Sequence, residues 1–476
     1  MTTPAAALAV LRSRSYLALL LLAAILGVPI SAAAYGFLKL VDLLQGWIFT
    51  DLPNGLGFQG EPLWWPLPVL LVGSVPVALA IKYLPGRGGH SPADGLHTGG
   101  APTPSQLPGV AIAALATLGF GVVLGPEAPL IAIGGGLGLL ALRLAKRDVP
   151  ARTGAVVGAA GSFAAVSTLF GSPLLAAFLL MEASGLSGAT LELVLVPGLL
   201  AAGVGTLVFV GLDAWTGWGT FSLAIPNLPS FTRPDLAEFG WALVIGVAAA
   251  LAAFGIRWLA LFIRPHVERR MVLLTPVVGL AIAGLAIAFA AGTGKSSSEV
   301  LFSGQSALGP FIAQSSSYTV PALLLLLACK GLAYSGSLSS FRGGPVFPSM
   351  FVGAAGGMAL SHLPGLPLIA GVAMGIGAMC AAMLKLPLTS VLLATLLLLS
   401  DGLAVMPLVI VAVVVSYVLS NWLAGAPPDG TSAGPAAGPG GAAASPAETP
   451  TASPTAGDAR HQPAGANSPS GSRQTE

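Results

Sequence analysis

Two short stretches of this chain share the same arrangement of glycine and proline, GPEAP at residues 125–129 and GPVFP at residues 344–348. Each is followed by two glycines at equal spacing, so both fit G-P-x-x-P-x4-G-x3-G, and they lie 219 positions apart (344 − 125). Proline removes a backbone N–H and glycine permits non-helical backbone. Each stretch therefore predicts the start or the interruption of a helix.

The composition around both stretches is typical of a membrane protein. Of the 476 residues, 55% are hydrophobic and 8% are charged, whereas a water-soluble domain carries about 25% charged residues. Several apolar segments are too long for one crossing, so we expect each of these to hold two short or tilted helices. The composition excludes a water-soluble globule and predicts an all-α polytopic membrane protein. The apolar segments are 16–40, 66–84, 109–145, 153–183, 190–212, 238–263, 271–291, 318–336, 366–400 and 403–424.

The charged residues indicate the orientation of the chain and exclude one class of partner. Arg12 and Arg14 precede the first apolar segment, which favours a cytoplasmic N-terminus. A formal net charge of +2 gives no basic surface for nucleic acid. We therefore expect a multi-pass protein of the cell membrane, surrounded by lipid.

The chain divides into a short N-terminal segment, a membrane body and a tail. Residues 1–15 form a cytoplasmic segment, residues 16–424 form the transmembrane domain, and residues 425–476 are rich in Pro, Ala, Gly, Ser and Thr. A tail of this composition cannot bury a core, so we expect it to be disordered.

A second pair of matching segments supports an internal repeat. Gly161 precedes Pro173 by twelve positions, and Gly375 precedes Pro387 by the same spacing, with an offset of 214 (387 − 173). Both motifs keep their order, which predicts repeat halves at residues 16–224 and 237–424 with a Pro-rich junction between them. Interrupted segments at corresponding positions of two halves point to a transport site for a small solute.

Glu127 is the most unusual charged residue of the body. It lies in an apolar run with no basic residue near it in sequence, and a carboxylate in a membrane span costs at least about 2.5 kcal/mol and marks ion or proton pathways. A helix start there adds free N–H groups and the positive end of the helix dipole, which together bind anions. The Glu127 carboxylate could occupy this anion site and leave it when protonated or displaced. A glutamate that only complements the dipole at an interface is the alternative.

Two glycine-rich segments could offer further N–H groups to an anion. Residues 86–92 (GRGGHSP) predict a loop before a helix start, or else an ordinary surface loop. Residues 341–348 (FRGGPVFP) could line a pathway, or else form a tight contact between helices. No histidine pair has metal-ligand spacing, so no metal or other cofactor is expected. The candidate anion-binding residues are Gly89, His90, Ser91, Pro92, Gly125, Ala128, Val346 and Phe347.

These motifs, in this order, resemble those of the CLC family of chloride channels and chloride/proton antiporters over most of the body. The family's G-[KR]-E-G-P element matches residues 125–129 at the first Gly, the Glu and the last Pro, and its G-x-F-x-P element is similar to residues 344–348. Its G-S-G-I-P loop is similar to residues 88–92 at both ends, and its N-A-P-L segment to residues 171–174. The resemblance implies a CLC-type inverted repeat of broken and tilted helices, a homodimer with one anion pathway per subunit, and Glu127 as the gating glutamate.

Several departures from the family pattern bear on mechanism. Gly89 stands where the family has an anion-coordinating serine, Pro345 lacks an N–H, and the late pore-facing tyrosine has no visible counterpart. Ala183 stands where proton-coupled members carry a glutamate, which favours a channel-like or weakly proton-coupled pathway for chloride or a similar small anion, unless Glu182 stands in as the proton carrier. A chloride/proton antiporter, or a secondary transporter of fluoride or an organic anion, is the alternative. An enzyme is not expected, because the spans pair no nucleophile with a base.

Overall fold

The computed structural model describes residues 12–96, 100–145, 150–186, 188–217, 231, 234–398 and 402–425. Most of the N-terminal segment 1–15, most of the junction between the predicted halves, and all but the first residue of the predicted tail lie outside the described residues. The predicted limits of the domains and of the two halves therefore stay predictions.

The first half of the described chain contains eight α-helices, and serine or proline marks several of their starts. Ser172 accepts a hydrogen bond from the N–H of Leu175 at 3.3 Å, and Pro173 follows at the first helical position, where its missing N–H costs nothing. A π-helical turn, Trp47–Asp51, joins the first two helices. They are α1 (Arg14–Gly46), α2 (Leu52–Gly55), α3 (Pro66–Tyr83), α4 (Leu107–Gly119), α5 (Glu127–Ala145), α6 (Ala151–Phe170), α7 (Pro173–Ser184) and α8 (Gly188–Thr216).

The second half also contains eight described α-helices and begins with two long ones. Its first helix begins with a capping box, in which Asp235 accepts from the N–H of Leu236 and Glu238 accepts from the N–H of Asp235. The helices are α9 (Leu236–Arg269), α10 (Met271–Thr293), α11 (Leu308–Ala313), α12 (Val320–Ser340), α13 (Val346–Leu360), α14 (Leu368–Leu384), α15 (Pro387–Leu397) and α16 (Gly402–Leu423).

Among the described helices, nine segments are long and apolar enough to cross a membrane, and five apolar helices are shorter. The prediction that long apolar segments hold two helices is confirmed, since 109–145 contains parts of α4 and all of α5, and 366–400 contains α14 and α15. Helix α13 lies outside all ten predicted segments, because its 15 residues are too few for a full span. Large apolar side chains such as Trp215 and Trp258 are exposed on the long helices, as lipid contact requires.

Glycines allow the same close helix contact in both halves. A Cβ on Gly134 of α5 would overlap the carbonyl oxygen of Gly161 in α6, and a Cβ on Gly353 of α13 would overlap that of Gly375 in α14. Small residues let membrane helices pack backbone against backbone. The two contacts join residues that the sequence had paired at offsets of 219 and 214, so the internal repeat is present in the packing.

The two proline motifs meet through their first glycines. The N–H of Gly125 donates to the carbonyl of Gly344 at 2.7 Å, and the N–H of Gly344 donates to the carbonyl of Gly125 at 2.6 Å. A reciprocal pair of this kind joins strands that run in opposite directions. It places the beginnings of α5 and α13 side by side.

Candidate anion-binding site

Glu127 is the first residue of α5, and its carboxylate is held by the other half of the chain. The side chain is fully buried. Its Oε1 accepts a hydrogen bond from the N–H of Phe347, in the first turn of α13, at 2.9 Å. Its Oε2 is also buried and has no hydrogen-bond partner among the described residues. The carboxylate therefore fills a place where a helix N-terminus offers donors to a negative charge.

The two bridging glycines leave the space that this carboxylate occupies. A Cβ built on either Gly125 or Gly344 would overlap Oε2 of Glu127. Val346, which begins α13, offers a further N–H to the same carboxylate. We call this arrangement of Gly125, Glu127, Gly344, Val346 and Phe347 the Glu127 cage. Three of the predicted anion-binding residues, Gly125, Val346 and Phe347, lie in it.

The other predicted anion-binding residues line a neighbouring cavity of about 740 Å³. Its walls include the segment Gly89–Pro92 and Ala128, and apolar residues of α6 and α7 complete them. Arg152 and Arg342 line it as well, and the described lining residues include no Asp or Glu. Cationic groups in a low-dielectric cleft attract anions. Ala128 adjoins both the cavity and the cage, so the two spaces meet at the first turn of α5.

The segment before this cavity is a loop, not the start of a full helix. It forms two short 3₁₀ turns, Pro85–Gly88 and Pro92–Asp94. Gly86 and Gly89 take positive φ values of 79° and 96°, a backbone region open mainly to glycine. The predicted helix start at Pro92 is thus only three residues long, and the segment offers loop N–H groups without a helix dipole.

Two arginines hold this loop in place. The Nε of Arg342 donates to the carbonyl of Arg87 at 3.2 Å, and its Nη1 donates to the carbonyl of Phe341 at 3.1 Å. On the other side, Arg264 of α9 forms an ion pair with Asp94. Arg342 therefore ties the loop to the segment that leads into α13, while its charge faces the cavity.

Sequence reasoning missed a polar stripe on α12. Lys330, Tyr334 and Ser337 are all buried and follow helical spacing on one side of that helix. The Tyr334 hydroxyl donates to the carbonyl of Pro345 at 2.9 Å, and Ser337 Oγ accepts from the N–H of Val123 at 3.2 Å. The signal that could have revealed them is this spacing of polar residues within an otherwise apolar span.

Glu182 has the contacts of a helix cap. Its Oε1 accepts from the N–H of Leu388 at 3.0 Å, and its Oε2 accepts from the N–H and the hydroxyl of Thr389 at 2.8 and 2.7 Å. These groups lie in the first turn of α15, where backbone donors lack helical partners. Both carboxylate oxygens are engaged in stabilising the end of that helix.

Residues 70–421 match the family model described as voltage gated chloride channel. Since this covers more than half of the chain, the protein belongs to that family, and the resemblance found in the motifs is confirmed. It is similar to the candidate ion-transport protein YfeO of Shigella boydii and of Escherichia coli. In both cases 29% of 360 aligned residues are identical, over 75% of this chain and 82% of the relative.

Solved structures share the fold. One is a slow cyanobacterial chloride/proton antiporter, with a TM-score of 0.70 and 19% identity over 86% of this chain and 95% of the other. Another is a CLC-type fluoride/proton antiporter, with a TM-score of 0.65 and 21% identity over 89% and 98%. The predicted all-α fold of CLC type is therefore confirmed, and the chain is a multi-pass membrane protein of a family that transports anions.

Proposed function

We propose that this protein moves chloride or a similar small anion across the membrane through a pathway gated by Glu127. The observation that carries the proposal is the hydrogen bond from the Phe347 N–H to a buried carboxylate whose second oxygen has no partner in the described part of the chain. The carboxylate stands where a bound anion would stand. Protonation or displacement of Glu127 would leave donor N–H groups for a permeant anion.

The cavity supplies the approach to this gate. Arg342 and Arg152 raise the local anion concentration, and the loop that contains Ser91 lines the same space as Ala128. An anion that reaches Ala128 is next to the first turn of α5, where Glu127 competes with it for the donors of α13. The Glu127 carboxylate and a small anion of equal charge therefore compete directly for these N–H donors.

In our proposal the anion pathway is channel-like, or its transport is only weakly coupled to protons. Ala183 offers no acid, and both oxygens of the neighbouring Glu182 are engaged in capping α15. Neither residue is a free proton carrier in this arrangement. The solved antiporters share only the fold with this chain, so a chloride/proton antiporter is the alternative. We also propose that the protein is a homodimer, as the family resemblance implies.

Purified protein in liposomes tests the proposal when chloride efflux and proton uptake are recorded together under a chloride gradient. Chloride flux without uphill proton movement supports the channel-like mechanism. Stoichiometric proton movement supports the antiporter and contradicts weak coupling. Absence of chloride flux, in protein that elutes as a folded species, contradicts the chloride pathway and directs the assay to fluoride and small organic acids.

A further inference from the structure

Lys330 is a buried cation in the middle of a membrane-spanning helix. Only 1% of its surface is exposed, and no carboxylate among the described residues lies within ion-pair distance of its ammonium group. An ionisable residue within a membrane-spanning helix is costly and points to a functional site. The Glu127 gate does not account for it.

The ammonium is surrounded by four consecutive backbone carbonyls. Nζ of Lys330 donates to the carbonyls of Glu299, Val300, Leu301 and Phe302 at 2.8, 3.2, 3.1 and 3.4 Å. The ring of Phe351, on α13, lies beneath it with its centroid 4.3 Å away. Clustered carbonyls are the ligands with which proteins replace the hydration shell of a monovalent cation. The turn at residues 299–302 therefore has the chemistry of a cation site.

We propose that Lys330 is a positioning residue whose ammonium fills a monovalent-cation site, and that this filled site holds the backbone leading to the Glu127 cage. The role in transport rests on the proposed function, whereas the cation site itself does not. An ammonium has three donor hydrogens, and four carbonyl oxygens already surround them. No donor is left for a permeant anion, so Lys330 does not bind the anion directly.

The turn at residues 299–302, which Lys330 holds, links Lys330 to the Glu127 cage. The N–H of Phe302 donates to the carbonyl of Gly121 at 2.9 Å, and the Phe302 ring packs edge-on against Phe49 at 4.8 Å. Gly121 begins the segment that ends at Gly125, the glycine that bonds to Gly344. The same ammonium also contacts Phe351 on α13. It therefore supports both segments that form the cage, the one before α5 and the one that begins α13.

Two substitutions at Lys330 test the cation site separately from the positioning of the Glu127 cage. Lys330→Ala leaves the four carbonyls around an open site, while Lys330→Met fills the volume with an apolar chain that no cation can share. We expect both to raise the KM for the transported anion by roughly 10- to 100-fold, the size of effect that a small displacement of a distant binding group produces. A matched control is Lys385→Ala, because among the described residues the Lys385 ammonium makes one hydrogen bond, to Ser420 at 2.7 Å.

The decisive measurement compares chloride salts of N-methylglucamine, potassium, ammonium and propylammonium, each at equal concentration on both sides of the liposome membrane. For Lys330→Ala, the small cations and propylammonium should return both the KM and the melting temperature toward those of the wild-type protein, and N-methylglucamine should not. Wild type, Lys330→Met and Lys385→Ala should respond to none of them. The melting temperature is read in detergent and does not depend on flux.

Three results would overturn the inference. One is a wild-type KM in both Lys330 variants, which would mean that Lys330 does not position the cage. Another is a raised KM in Lys330→Ala with no response of melting temperature to any cation, which would remove the cation site. The last concerns the case in which Lys330→Ala cannot be purified. A folded Lys330→Met with the wild-type KM would then overturn the inference. Absence of flux in the wild-type protein would contradict the proposed function, and the melting temperatures would still test the cation site.

Discussion

The carboxylate of Glu127 accepts a hydrogen bond at 2.9 Å from the backbone N–H of Phe347, a residue 220 positions further along the chain. Glu127 begins α5, yet its charge satisfies the first turn of α13. Each half thus supplies what the other lacks, an acceptor from the first and a donor from the second. The hydrogen bond exists only while the negative charge or an equivalent acceptor stays in place.

Substituting Glu127 tests the gate directly. Glu127→Gln keeps the shape but cannot ionise, and Glu127→Ala empties the space, so we expect anion flux in both to lose most of its dependence on pH. The measurement is chloride flux from liposomes between pH 4.5 and 8. Asp42→Asn, which removes an exposed carboxylate of α1, is the control and should keep the wild-type pH profile. If both Glu127 variants reproduce the flux and pH response of the wild type, Glu127 has no part in gating.

Adding one methyl group to the cage should expel the carboxylate without removing it. A Cβ at Gly344 overlaps Oε2 of Glu127, so we expect Gly344→Ala to show the weak pH dependence of Glu127→Ala. A double variant that combines Gly344→Ala with Glu127→Ala should behave like either single variant, because both changes remove the carboxylate from the same position. Gly356→Ala, on the helix α13 that follows Gly344, is the control, since its Cβ would meet no described atom within 4 Å. Additive effects in the double variant would contradict a shared cause.

Arg342 should set how well the cavity gathers anions. We expect Arg342→Gln to raise the KM for the anion by about tenfold with a smaller change in maximal flux, because electrostatic attraction acts on encounter. Arg342→Lys should recover part of this loss, and added salt should reduce the difference. Flux is measured over a range of anion concentrations at two ionic strengths.

The control for Arg342 is Arg87→Gln. The Arg87 side chain is exposed and is not among the described residues of the cavity wall, and its carbonyl, to which Arg342 donates, survives the substitution. The KM of this variant should stay near that of the wild type. An equal effect of both substitutions would indicate general surface charge instead of a role for the cavity.

Glu299 lies outside the membrane-spanning helices, and its ionisation should make the protein less stable at neutral pH than at acidic pH. Burial raises the pKa of Glu299 above its usual 4.5, outweighing the Tyr318 hydrogen bond and nearby lysines, which lower it. The folded protein then binds this proton more tightly than the unfolded chain does. The resulting stabilisation is complete below pH 4.5 and is lost as the pH rises through the raised pKa.

The variant Glu299→Gln cannot ionise and keeps an oxygen for Tyr318. We expect its apparent melting temperature to exceed that of the wild type by about 2 °C at pH 7.5. The difference should vanish as the pH falls to 4.5. A lower melting temperature of the variant at pH 7.5, or a difference that grows toward acid, would contradict the direction of the shift.

The sequence predicted much of the fold because glycine and proline act locally. The motif at residues 125–129 indicated a helix start, and α5 begins at Glu127. The paired offsets of Gly134 and Gly161 with Gly353 and Gly375 predicted a repeat that the helix contacts confirm. These features depend on backbone conformation within a few residues, which a sequence shows directly.

Contacts between distant segments could not be predicted in the same way. Nothing near Glu127 in sequence indicates the Phe347 N–H as its partner, and nothing near Lys330 indicates the four carbonyls at residues 299–302. Residues 86–92 were predicted to lead into a helix, but they form two short 3₁₀ turns instead, and Arg342 and Arg264 contact them from other parts of the chain. Such contacts follow from the packing of the two halves, which local patterns do not specify.

The bonding of Gly125 to Gly344 also has a consequence for biosynthesis. The ribosome makes the first motif more than two hundred residues before the second, so Glu127 reaches the insertion machinery while its donor has not yet been translated. Until α13 arrives, the nascent chain carries an unpaired carboxylate that the bilayer disfavours. The buried contact of Glu127 can therefore form only after the second half has been translated.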